Sequence, residues 1–308
     1  MLPALLTTIF FSISVVCANR SAKMLGGTEA NFWRLACATA MLAVWAYTFG
    51  EGVGGNSFYL FFLSGIIGVG ADVFLFQSLP RLGSRLSLLI IQCGSAVFAA
   101  AVEWLWLGTR LTGWQMAACL VILLGVALAL VPGKHLNISR QTITVGIIFG
   151  LFAAFGNGFG AVLSRKAYEI AAAAHQNIDA GTAGFQRLIG GLLVGGVTLL
   201  VVRRHAVLAQ FIEPNPPRLP SKEKWRKAWP WVLANSFAGQ TLGVSCYQWA
   251  LKTTPTGLVL AIVSITPIVV IPFACWMEHE KIERRSIIGG IIAVLGAVGL
   301  VYIRTHKW

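Results

Sequence analysis

Apolar stretches of membrane-spanning length recur along the whole chain and leave little room for a soluble fold. A helix needs about 20 mostly apolar residues to cross a bilayer. Ten stretches of this kind occupy 2–19, 29–49, 57–79, 86–108, 113–131, 143–164, 182–202, 229–251, 256–277 and 285–303. Only 11% of the 308 residues are charged, against about 25% in a soluble domain. A soluble protein of this length could bury a good core, but this chain lacks the residues for a polar exterior. The expected fold class is an all-α integral membrane protein with ten transmembrane helices. Leu2–Ala18 reads as the first of them and not as a secretory signal, because no basic residue precedes it and no small-residue cleavage pattern is clear.

The formal net charge of +13 would suggest nucleic acid in a soluble protein. Here the basic residues sit between apolar segments, where they set topology and meet lipid headgroups. Nucleic acid is therefore excluded as a partner. The expected partners are the lipid bilayer and a small-molecule substrate, and a homodimer is compatible with the design. Loops after odd-numbered segments carry 16 Lys and Arg, and the other side carries six. The positive-inside rule would thus place both termini outside the cytoplasm. The longest polar connection, 203–228, holds Pro214, Pro216, Pro217 and Pro220 followed by SKEKWRK, and it is expected not to form a continuous helix.

Catalytic, cofactor and metal chemistry find little support. All six cysteines lie inside apolar segments and read as small buried hydrophobes. The five histidines lie outside the segments or at their edges, and no GxxxxGK[ST] motif is present. No cofactor and no enzymatic activity are expected. The nearest approach to a reactive cluster is Glu278, His279, Glu280 and Glu283. An enzyme acting on lipid-linked substrates would have to use it, and a scaffold without transport is a third alternative.

The chain also repeats itself. The stretch from Lys252 to Arg285, moved back by 171 positions, lies without a gap on Arg81–Trp114. Gln77 then matches Gln248, Arg81 matches Lys252 and Gly125 matches Gly296. Earlier in each half the offset is 153, which aligns Phe32, Arg34 and Leu35 with Phe185, Arg187 and Leu188. Each half, 1–132 and 141–303, holds five segments. Five is odd, so the second half must enter the membrane in the opposite sense, giving an inverted repeat with a shared cleft. Pro267, Pro272 and Glu280 exist only in the second copy, which predicts a kinked ninth helix and a straighter fourth.

These residues resemble the ten-helix EamA-like branch of the drug/metabolite transporter superfamily. The resemblance rests on an arginine early in the second helix of each half, Arg34 and Arg187, and on a closing pattern in the second half. That pattern combines Pro267, a dozen apolar residues, Glu280 and the Gly-rich LGAVGLVYI. The first half departs from it, with Ala96 in place of the proline and Thr109 in place of the glutamate. The resemblance implies a secondary transporter of small polar metabolites such as amino acids, most simply an exporter in a bacterial inner membrane. Sugars or nucleotide sugars are the alternative cargo. It also implies cytoplasmic termini, against the charge count.

A charged group at the bilayer centre costs roughly 2.5–3.5 kcal/mol on insertion scales, so each polar residue in a span needs a reason. Asp72, the only aspartate within a span, is the candidate for proton or cation coupling, or else for pairing with Arg34 or Arg187. The two arginines either snorkel to the interface or bind an anionic group. Their repeat-related positions predict opposite membrane faces, so that one substrate could not easily meet both. In the eighth segment Asn235, Gly239, Gly243 and Tyr247 follow at four-residue spacing, with Gln240 beside them. Asn157, Gln92, Ser264 and Thr266 complete the candidate lining, although the stripe around Asn157 reads more readily as helix packing. Glu103 is expected to pair with Arg110 across one loop.

Overall fold

The structure, a computed structural model, describes residues 1–130, 140–212, 222–270 and 284–305. Among these residues it is all-helical, without strands. The helices are α1 (Leu2–Leu25), α2 (Gly27–Thr48), α3 (Phe58–Leu107), α4 (Gly113–Leu130), α5 (Arg140–Ala173) and α6 (Ala180–Ile212). They continue as α7 (Lys222–Asn235), a π-helical stretch (Ser236–Gly243), α8 (Val244–Thr253), α9 (Thr256–Val263) and α10 (Arg284–Thr305). Among the described residues, seven stretches are long and apolar enough to cross a membrane: Leu2–Leu25, Phe58–Leu82, Leu86–Leu107, Gly113–Leu130, Arg140–Ala173, Ala180–Arg204 and Arg285–Ile303.

The third and fourth predicted segments form one helical run, α3, with Pro80 inside it. This run cannot be straight. Ser78 and Ser87 share a hydrogen bond of 3.0 Å, whereas nine residues of straight helix would separate them by about 13.5 Å. The packing of α5 shows the same reversal. Going up α5, Gly150, Gly156 and Gly160 face Ser78, Ala71 and Ser64 in turn, descending the first arm. Gly146 faces Leu82, where the first arm ends, and Gly150, Ala154 and Gly158 face Ile90, Gly94 and then Ser95 and Ala99, ascending the second. The two arms of α3 are therefore antiparallel and clasp α5 between them, through the small residues that the sequence places on that face.

Two other departures have local causes. The eighth predicted segment, 229–251, starts earlier, at Lys222, and is split by the π-helical stretch. Residues 203–212 and 222–228 of the expected polar loop are helical, and its four prolines lie outside the described residues. The ninth segment breaks at Ser264 and Ile265 before helix resumes to Val270. Proline cannot donate to the carbonyl four residues back. Opposite Pro267 that carbonyl belongs to Val263, and Thr266 Oγ1 donates to it instead, at 2.6 Å. Pro272, Cys275, Trp276, Glu278, His279, Glu280 and Glu283 lie outside the described residues.

The helices pair in a definite pattern. α5 lies against both arms of α3, and α1 lies against α7, the π-helical stretch, α8 and α9. α2 packs on α6, and α4 packs on α10. α4 and α10 touch backbone to backbone: a Cβ on Gly125 would come within 2.5 Å of the Ala293 amide nitrogen. The largest core cluster joins α4, α8, α9, α10 and the second arm of α3.

One end of the molecule is tied by a buried charge pair. Glu103, on the second arm of α3, is 2% exposed and pairs with Arg165 of α5 at 2.6 Å. This replaces the expected Glu103–Arg110 pair. Glu103 also accepts from the Thr256 backbone amide at 2.6 Å, at the start of α9. Arg165 Nη1 donates to the carbonyls of Leu251 at 3.1 Å and Thr254 at 2.8 Å, at the end of α8. Sequence distance misled here, because Arg165 is remote in the chain and adjacent in space. At the other end Glu29 of α2 pairs with Arg203 of α6.

Candidate functional site

A cavity of about 330 Å³ lies between the α3–α5 group and the α1–α7–α8–α9 group, with α2 and α6 contributing to its wall. Its polar lining includes Ser14, Arg34, Asp72, Gln92, Ser95, Asn157, Arg187, Gln240, Tyr247 and Thr266. Phe11, Leu35, Val69, Leu88, Ile91, Leu188, Leu260 and Val263 supply apolar surface.

Glycines on α3 set the position of Arg187. A Cβ on Gly65 would collide with the Arg187 carbonyl, and one on Gly190 would collide with the Phe62 carbonyl, so α3 and α6 cross in close contact. Arg187 then reaches across Gly68, where a Cβ would stand 2.6 Å from Nη2. Gly68 thus admits a guanidinium, and Gly65 admits the backbone. Arg187 Nη1 donates to Ser64 Oγ, to Ser164 Oγ at 3.2 Å and to the Gly160 carbonyl at 3.3 Å. The guanidinium also lies 5.8 Å from the centre of the Tyr247 ring, within reach of a cation–π contact.

Arg34 and Arg187 line the same cavity, which corrects the expectation that one substrate could not easily meet both. Each lies about two turns into its helix, counting 3.6 residues per turn. Their long side chains turn inward, so the cavity reaches both. Arg34 Nε donates to Asn31 Oδ1 at 2.8 Å. Asp72 interacts electrostatically with both guanidinium groups. Among the described residues it makes no hydrogen bond or close ion pair. The side chains of Gln92, Asn157 and Gln240 likewise have no hydrogen-bond partner among the described residues. Polar groups inside a membrane protein are normally paired, so these four side chains stand ready for something that enters the cavity.

The polar stripe of the eighth segment divides between two tasks. Gly239 and Gly243 take the side chains of Ser14 and Phe11 of α1. Asn235 is 1% exposed and accepts from Ser14 Oγ at 2.6 Å. Gln240 and Tyr247 face the cavity. The π-helical stretch carries Gly239 and Gly243 for the first task and Gln240 for the second. Ser264 is also off the cavity wall; it is buried and donates to the Ala261 carbonyl at 2.7 Å. Eight of the ten candidate residues line the cavity, and Asn235 and Ser264 do not. Asn157 does so although its neighbours Ala153, Ala154 and Gly158 are packed against α3 or buried.

Some residues of the site carried little signal. Ser64 and Ser164, which share a 2.7 Å hydrogen bond and hold Arg187, are lone serines in apolar runs. Ser14 of α1 was foreshadowed only by the nearby Thr8 and Ser12, spaced four apart.

A sequence profile of a known protein family matches two stretches of the chain, residues 1–131 and 144–302, and the family is the EamA-like transporter family. The chain belongs to the EamA-like transporter family. EamA-like proteins are membrane transporters, so this chain is a multi-pass integral membrane protein with a transporter fold. A relative described as an uncharacterized transporter, from Clostridium kluyveri, is 23% identical over 248 residues, which is 79% of this chain and 72% of the relative. A solved crystal structure superposes with a TM-score of 0.72 at 15% identity and covers 97% of both chains; this similarity concerns the fold. The EamA-like family and this relative both point to transport and away from catalysis.

Proposed function

We propose that this EamA-like protein is a secondary transporter, exporting small polar metabolites such as amino acids across a bacterial plasma membrane. In this reading the cavity opens alternately to the two sides. The observation that carries it is a cavity among membrane-crossing helices whose wall holds two guanidinium groups, together with one carboxylate and three amide side chains that have no hydrogen-bond partner among the described residues. Such groups are costly in a membrane interior and mark substrate or ion paths.

The pairing of the helices supports the inverted repeat of ten helices. If the first to fifth helices correspond to the sixth to tenth, α1 against α7–α9 is the counterpart of α5 against the two arms of α3. Residue pairs obey the same exchange. Gly125 meets Ala293 and Gly296 meets Ile122, and the offset of 171 turns one pair into the other. The family match in two stretches, 1–131 and 144–302, fits two halves of about this extent. A pseudo-two-fold with a site at the repeat interface is the common design of secondary transporters.

Asp72 is the group proposed to carry a coupled proton. Purified protein in liposomes is expected to show flux over an amino-acid panel when a proton gradient is imposed. Asp72→Asn should abolish the proton-driven component, and intact proton-driven flux in that variant would refute the coupling role. Absence of flux for every member of the panel would refute amino-acid transport.

A further inference from the structure

We propose that the cavity holds a substrate with two carboxylates and one ammonium group, that is, an acidic amino acid. This rests on the transport reading above and narrows its substrate class.

Among the described residues the charged lining consists of Arg34, Arg187 and Asp72, and these three groups sum to one positive charge. An uncompensated charge away from bulk water is expensive. A cargo of net charge minus one removes the excess, and a neutral zwitterion leaves it. A dicarboxylate lacking an ammonium group balances the arginines but sets its own charge against Asp72. Two carboxylates with one ammonium group meet a partner of opposite sign at all three positions.

Hydrogen-bonding capacity agrees with this charge pattern. Arg34 spends one N–H on Asn31 and keeps the rest of its fork for a carboxylate, a geometry that favours paired hydrogen bonds. Arg187 commits Nη1 to Ser64, Ser164 and Gly160, while Nη2 lies over the bare backbone of Gly68. Asp72 stands one helical turn beyond Gly68 on the same face and interacts with both arginines, so without cargo it serves as their shared counterion. The ammonium group of the cargo would pair with Asp72 as its carboxylates take the arginines. The volume of about 330 Å³ is at the small end of the ~300–1,000 Å³ range of ligand pockets, in keeping with a single amino acid.

The test is calorimetric binding of L-glutamate, L-glutamine and glutarate to the purified full-length protein. Glutamine lacks one carboxylate charge and glutarate lacks the ammonium group. Each is expected to bind at least about ten-fold more weakly than glutamate, the usual cost of one lost charged hydrogen bond. Asp72→Asn should collapse the preference for glutamate over glutarate, and Arg34→Gln the preference for glutamate over glutamine. Glutamine binding as tightly as glutamate, no binding of any of the three, or an Asp72→Asn protein that keeps its preference would each overturn the assignment. The ligand comparison on the unaltered protein does not depend on any variant folding. Flux of neutral amino acids without preference for glutamate would refute this assignment and leave the transport reading intact. Selective glutamate binding without flux of any amino acid would do the reverse.

Discussion

At the scale of single residues, the Glu103–Arg165 pair fixes the end of the molecule where α8 turns into α9. Both partners lie within long apolar helices, and Glu103 is almost fully buried. Removing one partner of such a pair strands the other charge, at a cost of about 3–5 kcal/mol. Arg165→Met should therefore lower the thermal-unfolding midpoint in detergent strongly. The double variant Glu103→Gln/Arg165→Met should recover part of the loss, because no charge then remains buried. Equal midpoints for Arg165→Met and the parent protein would refute the pairing. Asp179 gives a second residue-scale prediction. It precedes α6 and accepts from the amides of Gly181 at 2.8 Å and Thr182 at 3.0 Å, from Trp45 Nε1 at 2.9 Å and from the Thr182 hydroxyl. Burial raises its carboxyl pKa, but these hydrogen bonds outweigh burial and hold it below the usual carboxylate range. Its folded value thus lies below the unfolded value of about 3.9. The stabilisation is complete above that pH and is lost as pH falls through the folded value. Asp179→Asn should flatten the acid side of the stability curve, and Asp179→Ala should cost about 0.5–2 kcal/mol at neutral pH as a lost helix cap.

At the scale of elements, the apolar segments were legible because a membrane-spanning helix must be apolar over a fixed length. The arginines, Asp72 and the three amides were legible because polarity inside a span is costly enough to need a purpose. Ser64 and Ser164 were not. A lone serine in a helix commonly bonds its own preceding carbonyl and signals nothing until a neighbour such as Arg187 is known. The π-helical turn was also hidden, since SFAGQTLG has no feature that demands an extra residue per turn. Glycine stripes were legible as packing surfaces but not as to partner. The α4–α10 contact turns this into a measurable contrast. A Cβ on Gly125 would press on the Ala293 amide nitrogen at 2.5 Å and the Gly289 carbonyl at 2.7 Å, both backbone atoms with no freedom to rotate away. Gly125→Ala should destabilise by about 1–3 kcal/mol, as overpacking does. Gly299, on the same helix as Ala293, has nothing within 4 Å of its Cβ position. There Gly299→Ala should be neutral or stabilising by up to about 1 kcal/mol. Similar responses at the two sites, read by thermal unfolding, would count against the close crossing.

At the scale of the whole molecule, the proposed inversion makes Arg34 and Arg187 equivalent positions, and both reach the one cavity they line. Among the described residues, hydrogen bonds tie the two groups of helices together at one end of the cleft. Arg165 and Glu103 of the α3–α5 group bind the backbone of residues 251–256, and Gln248 of α8 donates to Ser164 at 3.2 Å. A cavity that is to open alternately on two sides must release these contacts once in every cycle. Ala100 and Gly257 offer a way to hold them. A Cβ on Gly257 would lie 2.7 Å from that of Ala100, and a disulfide needs about 3.5–4.5 Å between Cβ atoms, so a slight separation suffices to form one. In a background without the six native cysteines, Ala100→Cys/Gly257→Cys should transport under reducing conditions, stop when oxidised and recover on reduction. Substrate binding from the opposite side should persist in the oxidised protein, because the cavity wall is untouched. Undiminished flux in fully cross-linked protein would mean that this end stays shut throughout the cycle, and the alternating opening proposed for the cavity would fall with it.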